Sequence, residues 1–184
     1  MRNKLNSIQR MKVTYGHVPE AEILDTVFQS DIEIIKLTME HIDHAAFEIG
    51  GGERLLSART IYIIGIRSCA PLASFLSFIL NMILDDVRLI QTSSASEIFE
   101  QMIRIGDQDA IIGISFPRYS MRTLKAIEFA NNRNAKVITL TDSVHSPINL
   151  YSSCNLIARS DMASIVDSLV APLSVVNALV VHSV

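Results

Sequence analysis

The sequence has little charge and little cysteine. Only 19 % of its 184 residues are charged and 49 % are apolar, whereas about 25 % of a typical soluble domain is charged. Such a chain can build a large core and is too hydrophobic to be intrinsically disordered. Its net charge of −3 argues against electrostatic binding of the domain as a whole to nucleic acid or to an anionic membrane. Cys69 and Cys154 are far apart and not in a CxxC pattern, so neither a disulfide framework nor a zinc knuckle is indicated.

Targeting and membrane signals are also missing. Residues 1–10 are polar and basic and lack the apolar core of a signal peptide. Two uncharged stretches, residues 68–84 and 168–184, approach the roughly 17–25 residues that a spanning helix needs. Each contains proline, serine and asparagine, and we interpret both as helices buried between a sheet and a second subunit. We therefore predict a cytoplasmic protein that does not bind membranes.

The first quarter of the chain is organised as a tether followed by a helix. Residues 1–20 are predicted to be a basic linker, and residues 21–44 show helical periodicity that Asp31 interrupts. The apolar residues of this periodicity recur at spacings of three, four and seven: Leu24, Phe28, Ile35, Met39 and Ile42. Three glycines at 50–52 are expected to break a short helix that begins near residue 45.

The rest of the chain alternates between short apolar runs and helical stretches. The apolar runs begin at Thr60, Val87, Ala110, Lys136 and Cys154. The clearest helical stretches are residues 70–84, 96–105 and 120–131. Strands that are apolar throughout are typical of a parallel sheet covered on both faces, and strand–helix alternation points the same way. We predict a three-layer αβα sandwich with a five-stranded parallel sheet.

Hydroxyl groups follow the first four predicted strands. Arg67 and Ser68 follow the first, residues 92–94 the second, residues 115–120 the third and residues 141–143 the fourth. Because ligands of open α/β sheets bind at the carboxyl ends of the strands, these groups are predicted to form a pocket for a small phosphorylated or carboxylated molecule. The alternative for each loop is simple helix capping, since Ser and Thr are common N-caps.

Other kinds of chemistry have weaker support. The GxGxxG and GK[ST] phosphate loops are missing, so no nucleotide cofactor is predicted. His41, His44 and Glu48 have the spacing of one helical face that a metal could use, although a solvated face explains them equally well. Glu97, His145 and Asp142 are the acid/base groups available near the pocket edge, and neither a Ser-His-Asp nor a Cys-His arrangement can be argued from spacing.

Four segments resemble a known family. They are Gly65-Ile66-Arg67-Ser68, the S-F-P-R-Y-S string at 115–120, the T-D-S-x-x-S-P segment at 141–147, and Val170-Ala171-Pro172-Leu173. Together they resemble the SIS (sugar isomerase) domain and, more narrowly, the effector domain of RpiR-type transcriptional regulators. The resemblance implies a flavodoxin-like strand order, a homodimer or dimer of dimers, and a phosphosugar or related anionic ligand.

The resemblance also implies roles for particular residues. Ser68, Ser115 and Ser120 would hold the phosphate with Thr123 nearby, while Ser93 and Ser94 would face the sugar. Gly65, Arg67 and Tyr119 complete the candidate ligand-binding residues. The chain departs from the family pattern at Pro117 and Arg118, which stand where serine and glycine are usual. Arg118 is therefore expected to serve the anion, or the ligand differs from a simple sugar phosphate.

The predicted organisation is a linker remnant at 1–20 and a phosphosugar-binding domain at 21–184. The helix-turn-helix domain through which such regulators contact DNA is expected to be missing from this chain. We predict a ligand-sensing, dimerising regulatory domain without catalytic residues, metal or cofactor. An aldose–ketose phosphosugar isomerase on the same fold and a purely structural oligomerisation module are the alternatives.

Overall fold

A computed structural model describes residues 9, 12, 13, 15–92, 94–160 and 168–184. Its helices are α1 (Ile23–His41), α2 (His44–Glu48), α3 (Ala70–Leu80), α4 (Ala95–Gln101), α5 (Met121–Asn132) and α6 (Val170–His182). Its strands are β1 (Ile61–Gly65), β2 (Val87–Leu89), β3 (Ala110–Ile114), β4 (Lys136–Thr141) and β5 (Cys154–Ile157). Most of the predicted linker at 1–20 lies outside the described residues, so the division of the chain at residue 20 stays a prediction.

The five strands form one parallel sheet in the order β2-β1-β3-β4-β5. This confirms the predicted fold class and the flavodoxin-like order. β1 and β3 are neighbours in the sheet although β2 separates them in sequence, with Gly65 paired to Ile114 at their carboxyl ends. The loops that follow β1 and β3 therefore leave the sheet side by side.

Each face of the sheet carries its own core, because successive strand residues point to opposite sides. Ile61 and Ile63 pack with α3 and α6 on one face, and Tyr62 and Ile64 pack with α4 and α5 on the other. β1 and β3 are buried along their whole length, as expected for strands covered twice. The chain thus has three layers.

Helix α1 lies outside these layers and occupies most of the predicted helical stretch at 21–44. It buries Ile34 and Thr38, while Leu24, Phe28 and Met39 of the predicted apolar stripe are 57–65 % exposed. The periodicity correctly indicates a helix, but in the described chain most residues of the stripe face outward and not toward the core.

Two expectations about this region were wrong. His41 ends α1 and His44 begins α2 after a break at Ile42, so the histidines do not share one helix. The glycine run does not end α2, because the chain continues through Ile49–Arg54 as a π-helical turn. A Cβ at Gly50 would lie 2.4 Å from the Cys154 sulfur, so glycine is used here for close packing on β5.

The two uncharged stretches form α3 and α6, of 11 and 13 residues. Within the described residues, no helix has both the length and the apolar character needed to cross a membrane.

Candidate anion-binding pocket

A pocket opens where β1 and β3 end, between the starts of α3 and α5. Its volume is about 110 Å³, which suits an anionic group of a few heavy atoms better than a whole sugar. The loop after β1 contributes Ile66, Arg67, Ser68 and Cys69 to its lining. The loop after β3 contributes Ser115, Phe116, Pro117, Arg118 and Ser120. The structure thus brings together five of the predicted ligand-binding residues: Arg67, Ser68, Ser115, Arg118 and Ser120.

The β1 loop is a tight turn into α3. Gly65 lies against this turn rather than in the pocket lining, and a Cβ there would be 2.7 Å from the Cys69 carbonyl oxygen. Arg67 then adopts a left-handed backbone with φ 61° and starts a 3-10 turn, Arg67–Cys69, that leads into α3. The side chains of Arg67 and Ser68 are exposed at the pocket.

The β3 loop is held by its own serines. Buried Ser115 accepts a hydrogen bond at its Oγ from the Ser120 backbone N–H at 3.2 Å. Ser120 is the N-cap of α5, and its Oγ accepts from the Thr123 N–H at 3.4 Å. In both bonds the serine is the acceptor, so its O–H remains able to donate to an anion. The same serine side chain can therefore cap the helix or hold the loop and also bind a ligand.

Thr123 lies below this loop, outside the pocket lining. It is fully buried, and its hydroxyl oxygen has no hydrogen-bond partner among the described residues. A buried hydroxyl without a partner is uncommon in folded proteins. It lies in the first turn of α5, and its predicted role at the phosphate stays a prediction.

Tyr119 points away from the pocket lining and connects two loops. Its hydroxyl donates to Asp142 Oδ1 at 2.8 Å, and Asp142 belongs to the loop after β4. Burial, followed by this hydrogen bond, raises the pKa of Tyr119 to about 12. Tyr119 therefore holds the β3 loop in position through this hydrogen bond. Its two neighbours in sequence, Arg118 and Ser120, both line the pocket.

The β2 edge is separate from this pocket. Ser94 is the N-cap residue of α4, and its hydroxyl is hydrogen-bonded to Ser96 at 2.9 Å. The hydroxyl of Thr92 donates to Glu97. Ser94 is not part of the pocket lining, and Ser93 lies outside the described residues, so the predicted sugar contacts of both residues stay predictions.

Comparison with known proteins decides the family. Residues 54–182 match the sequence model of the SIS domain, which covers more than half of the chain. The protein belongs to the SIS domain family. No curated protein sequence matched it.

Solved structures agree with this assignment. The SIS domain is similar to the sugar isomerase domain of an RpiR transcription factor from Sphaerobacter thermophilus, with 25 % identity, a TM-score of 0.83, and coverage of 88 % of this chain and 89 % of that one. The Vibrio vulnificus NanR protein complexed with ManNAc-6P matches over 93 % of this chain and 64 % of that one, at 21 % identity and a TM-score of 0.77.

An enzyme-like relative has the same fold. A Methanococcus jannaschii protein with an inferred function as 3-hexulose-6-phosphate isomerase shares 15 % identity with a TM-score of 0.66, covering 88 % of this chain and 89 % of that one. Similar structures with the SIS fold thus include regulator domains and an inferred isomerase. The fold alone does not decide between the two functions, so the residues of the site must.

The acid/base candidates of this SIS domain lie away from the pocket. Glu97 accepts a hydrogen bond from Thr92 near the β2 edge. Asp142 accepts a hydrogen bond from Tyr119 in the loop after β4, and His145 is exposed in the same loop. Within the described residues, the pocket lining contains two arginines and three serines but no carboxylate or imidazole. This arrangement can bind an anion, whereas proton transfer requires an acid or base within hydrogen-bond reach of the substrate.

Sequence reasoning missed Ile66, Cys69 and Phe116 as lining residues. The only available signal was their position next to predicted contacts in the two loops. Nothing in the sequence showed that Arg67 would adopt a left-handed backbone.

Proposed function

We propose that this SIS domain is the ligand-sensing effector domain of a bacterial RpiR-type transcriptional regulator and that its ligand is a phosphosugar. The observation that carries the proposal is the pocket itself, where the loops after β1 and β3 place arginine and serine side chains together at two helix starts. Hydroxyl donors, guanidinium groups and helix N-termini all favour a phosphate group. The similarity to an RpiR sugar isomerase domain supports the regulatory role.

Absence of catalysis is part of the proposal. Glu97 and His145, the acid/base candidates, stand apart from the described lining, which supports binding rather than isomerisation. An NMR assay of aldose–ketose phosphosugar interconversion should show no turnover by the wild type. Turnover that is lost in Glu97→Gln would contradict the proposal and establish the isomerase alternative.

Ligand binding can be separated from helix capping at Ser120. Aspartate is as good an N-cap as serine, but its negative charge would repel an anion from the pocket. We expect Ser120→Asp to keep the thermal stability of the wild type and to lose binding of hexose 6-phosphates in calorimetric titrations. Asp43→Ser, the reverse exchange at the exposed N-cap of α2 outside the pocket, serves as the control and should keep hexose phosphate binding. If Ser120→Asp binds hexose phosphates as the wild type does, the pocket is not the phosphate site.

We further propose that the domain forms a homodimer through its exposed apolar helix faces. Leu24 and Phe28 of α1 are 65 % and 57 % exposed, and Phe78 of α3 is 64 % exposed. Large contiguous apolar patches on soluble proteins commonly mark protein–protein contacts. In sedimentation-velocity runs, Phe28→Glu or Phe78→Glu should shift the protein toward monomer. Leu150→Glu, at a still more exposed residue in the 3-10 turn Pro147–Tyr151, should not.

In such a regulator the ligand acts through the dimer. A ligand can shift an equilibrium between two packings of the dimer only by its difference in affinity for them. DNA binding would come from a helix-turn-helix domain joined through the predicted linker at 1–20, and the protein would work in the cytoplasm. A sugar phosphate that binds the domain should then change the affinity of the DNA-binding regulator for its operator. Operator DNA should change the affinity of the regulator for the sugar phosphate by the same factor.

A further inference from the structure

An apolar groove runs between the first turns of α4 and α5, apart from the anion pocket. Its volume is about 130 Å³, and its apolar lining consists of Ala95, Ile98, Phe99 and Met121. Met121 is 61 % exposed. Both helices pack on the face of the sheet opposite to α3 and α6. The groove is therefore a separate surface from the exposed apolar faces of α1 and α3.

Charged side chains of opposite sign border this groove. Arg122 and Lys125 complete its lining from α5. On α4, Glu100 is exposed next to the lining residue Phe99. Ile103 is 58 % exposed and lies one turn further along, where its N–H donates to the Glu100 carbonyl oxygen. Neither ion pair formed within the described residues includes Glu100, Arg122 or Lys125, so these charges can pair with groups on another molecule.

Two-fold symmetry would pair these charges between two copies of the chain. α4 and α5 follow parallel strands and pack on the same face of the sheet, so they run in the same direction. A two-fold axis along the groove therefore places α4 of one protomer over α5 of its partner, again in parallel. Because the axis relates the two protomers, every contact across it occurs twice.

The positions of the charges along the two helices match this arrangement. Ala95 and Met121, the first residues of α4 and α5, line the same groove, so the two helices start at the same level. Glu100 is the sixth residue of α4 and Lys125 is the fifth of α5. At a rise of about 1.5 Å per residue, the two charges lie at nearly the same height. Glu100 of each copy thus faces Lys125 of the other copy.

We propose that the α4–α5 groove is a contact surface for a second copy of this chain. The exposed apolar side chains of Met121 and Ile103 lie at its centre, and the two Glu100–Lys125 pairs hold the copies in register. A foreign partner of one charge would match only one wall of the groove, whereas a second copy matches both. The surface spans only two helices, so the association is weak and depends on concentration. The inference goes beyond the proposed function, because it uses neither the anion pocket nor the faces of α1 and α3.

Sedimentation velocity over a range of protein concentrations tests this surface. We expect the wild type to double its mass as the concentration rises, whether the starting unit is the monomer or the homodimer. Lys125→Glu and Glu100→Lys should each raise the dissociation constant at least about tenfold, because each reversal replaces two opposite-charge contacts by two like-charge contacts. Asp107→Lys reverses an exposed acidic residue at the amino-terminal edge of the sheet and, as the matched control, should leave the dissociation constant unchanged.

An equimolar mixture of the two charge-reversal variants gives the sharpest result. In a mixed pair, one contact keeps Glu100 and Lys125, and the other has both charges exchanged, so both contacts are attractive. The mixture should therefore recover the association that each variant alone has lost, which also shows that both variants are folded. Raising the salt concentration from about 50 mM to about 500 mM should weaken the association of the wild type, because exposed charges are screened.

Two results would refute the proposal: a wild type that sediments as the two variants do at every concentration, or a mixture that stays as dissociated as its components. A third result would overturn it by assigning the groove to a foreign partner. In that case the wild type does not self-associate, but the amides of Met121 and Lys125 shift when an acidic amphipathic peptide is added. Hexose phosphate binding enters none of these outcomes, so they are independent of the proposed function.

Discussion

Gly65 connects the packing of the fold to the geometry of the pocket. A Cβ at this position would lie 2.7 Å from the Cys69 carbonyl oxygen and 3.0 Å from the Ala73 Cβ. The oxygen is a backbone atom at the start of α3, so no side-chain rotation can remove the overlap. Gly65→Ala must move the first turn of α3 away from β1, and with it the turn that carries Arg67 and Ser68.

The magnitude follows from the cost of overpacking. Forcing one extra methyl group into a packed site costs about 1–3 kcal/mol. For a chain of this size, this corresponds to a fall in Tm of roughly 2–12 °C. Because the pocket turn moves as well, hexose phosphate binding should weaken several-fold in the variant that remains folded at 20 °C.

Thermal unfolding and calorimetric titration of two matched variants would test this reasoning. A Cβ at Gly106 has no atom within 4 Å, so Gly106→Ala should be neutral or slightly stabilising. If Gly65→Ala is as stable as Gly106→Ala and binds hexose phosphates normally, the packing role of Gly65 is refuted.

Three further predictions concern polar side chains. Asp109 is fully buried and accepts hydrogen bonds from Arg59 and the Gly106 N–H. Asp109→Asn should therefore lower the free energy of unfolding, measured in urea titrations, by about 2–4 kcal/mol. A decrease below about 1 kcal/mol would contradict this. The pKa of Tyr119 is raised to about 12, so this phenol stays neutral in the fold while an unfolded tyrosine ionises near pH 10. Its contribution to stability is complete below pH 10 and is lost as the pH rises toward 12. In an alkaline absorbance titration, Tyr119→Phe should lose one of the ionisation steps that the wild type shows above pH 10; an unchanged profile would contradict this. Burial raises the pKa of the Cys154 thiol, so iodoacetamide should label it much more slowly at pH 8 than after unfolding; equal rates would refute its burial.

The sheet and the position of the site could be predicted because both depend on local pattern. Apolar runs such as residues 61–65 and 110–114 can satisfy their backbone only in a sheet covered on both faces. Once those strands are parallel, their carboxyl ends lie on one edge, and the residues that follow them come together. The sequence therefore predicts that Ser68, Ser115 and Ser120 lie close together, and all three line one pocket.

The outward-facing stripe of α1 and the glycine run could not be predicted, because they depend on tertiary partners. Helical periodicity shows that Leu24 and Phe28 share a face, but not whether the chain itself or another molecule covers that face. Glycine is unfavourable inside a helix, yet at Gly50 the proximity of Cys154 leaves no room for a Cβ. In both places a long-range contact overrides the local preference.

Arg118 shows how a departure from a family pattern can be interpreted physically. The sequence resemblance placed this arginine where glycine is usual, and the structure gives it a φ of 64°, a conformation that glycine adopts most easily. The loop has thus kept the backbone shape of a glycine position while carrying a long cationic side chain, at a cost of about 1–2 kcal/mol in backbone strain. Arg67, in the neighbouring loop, has nearly the same φ and borders the same pocket. Replacing either arginine by glycine should therefore stabilise the fold or leave it unchanged while it weakens the binding of hexose phosphates. Opposite signs for stability and affinity are the signature that distinguishes a residue that serves the ligand from one that serves the fold.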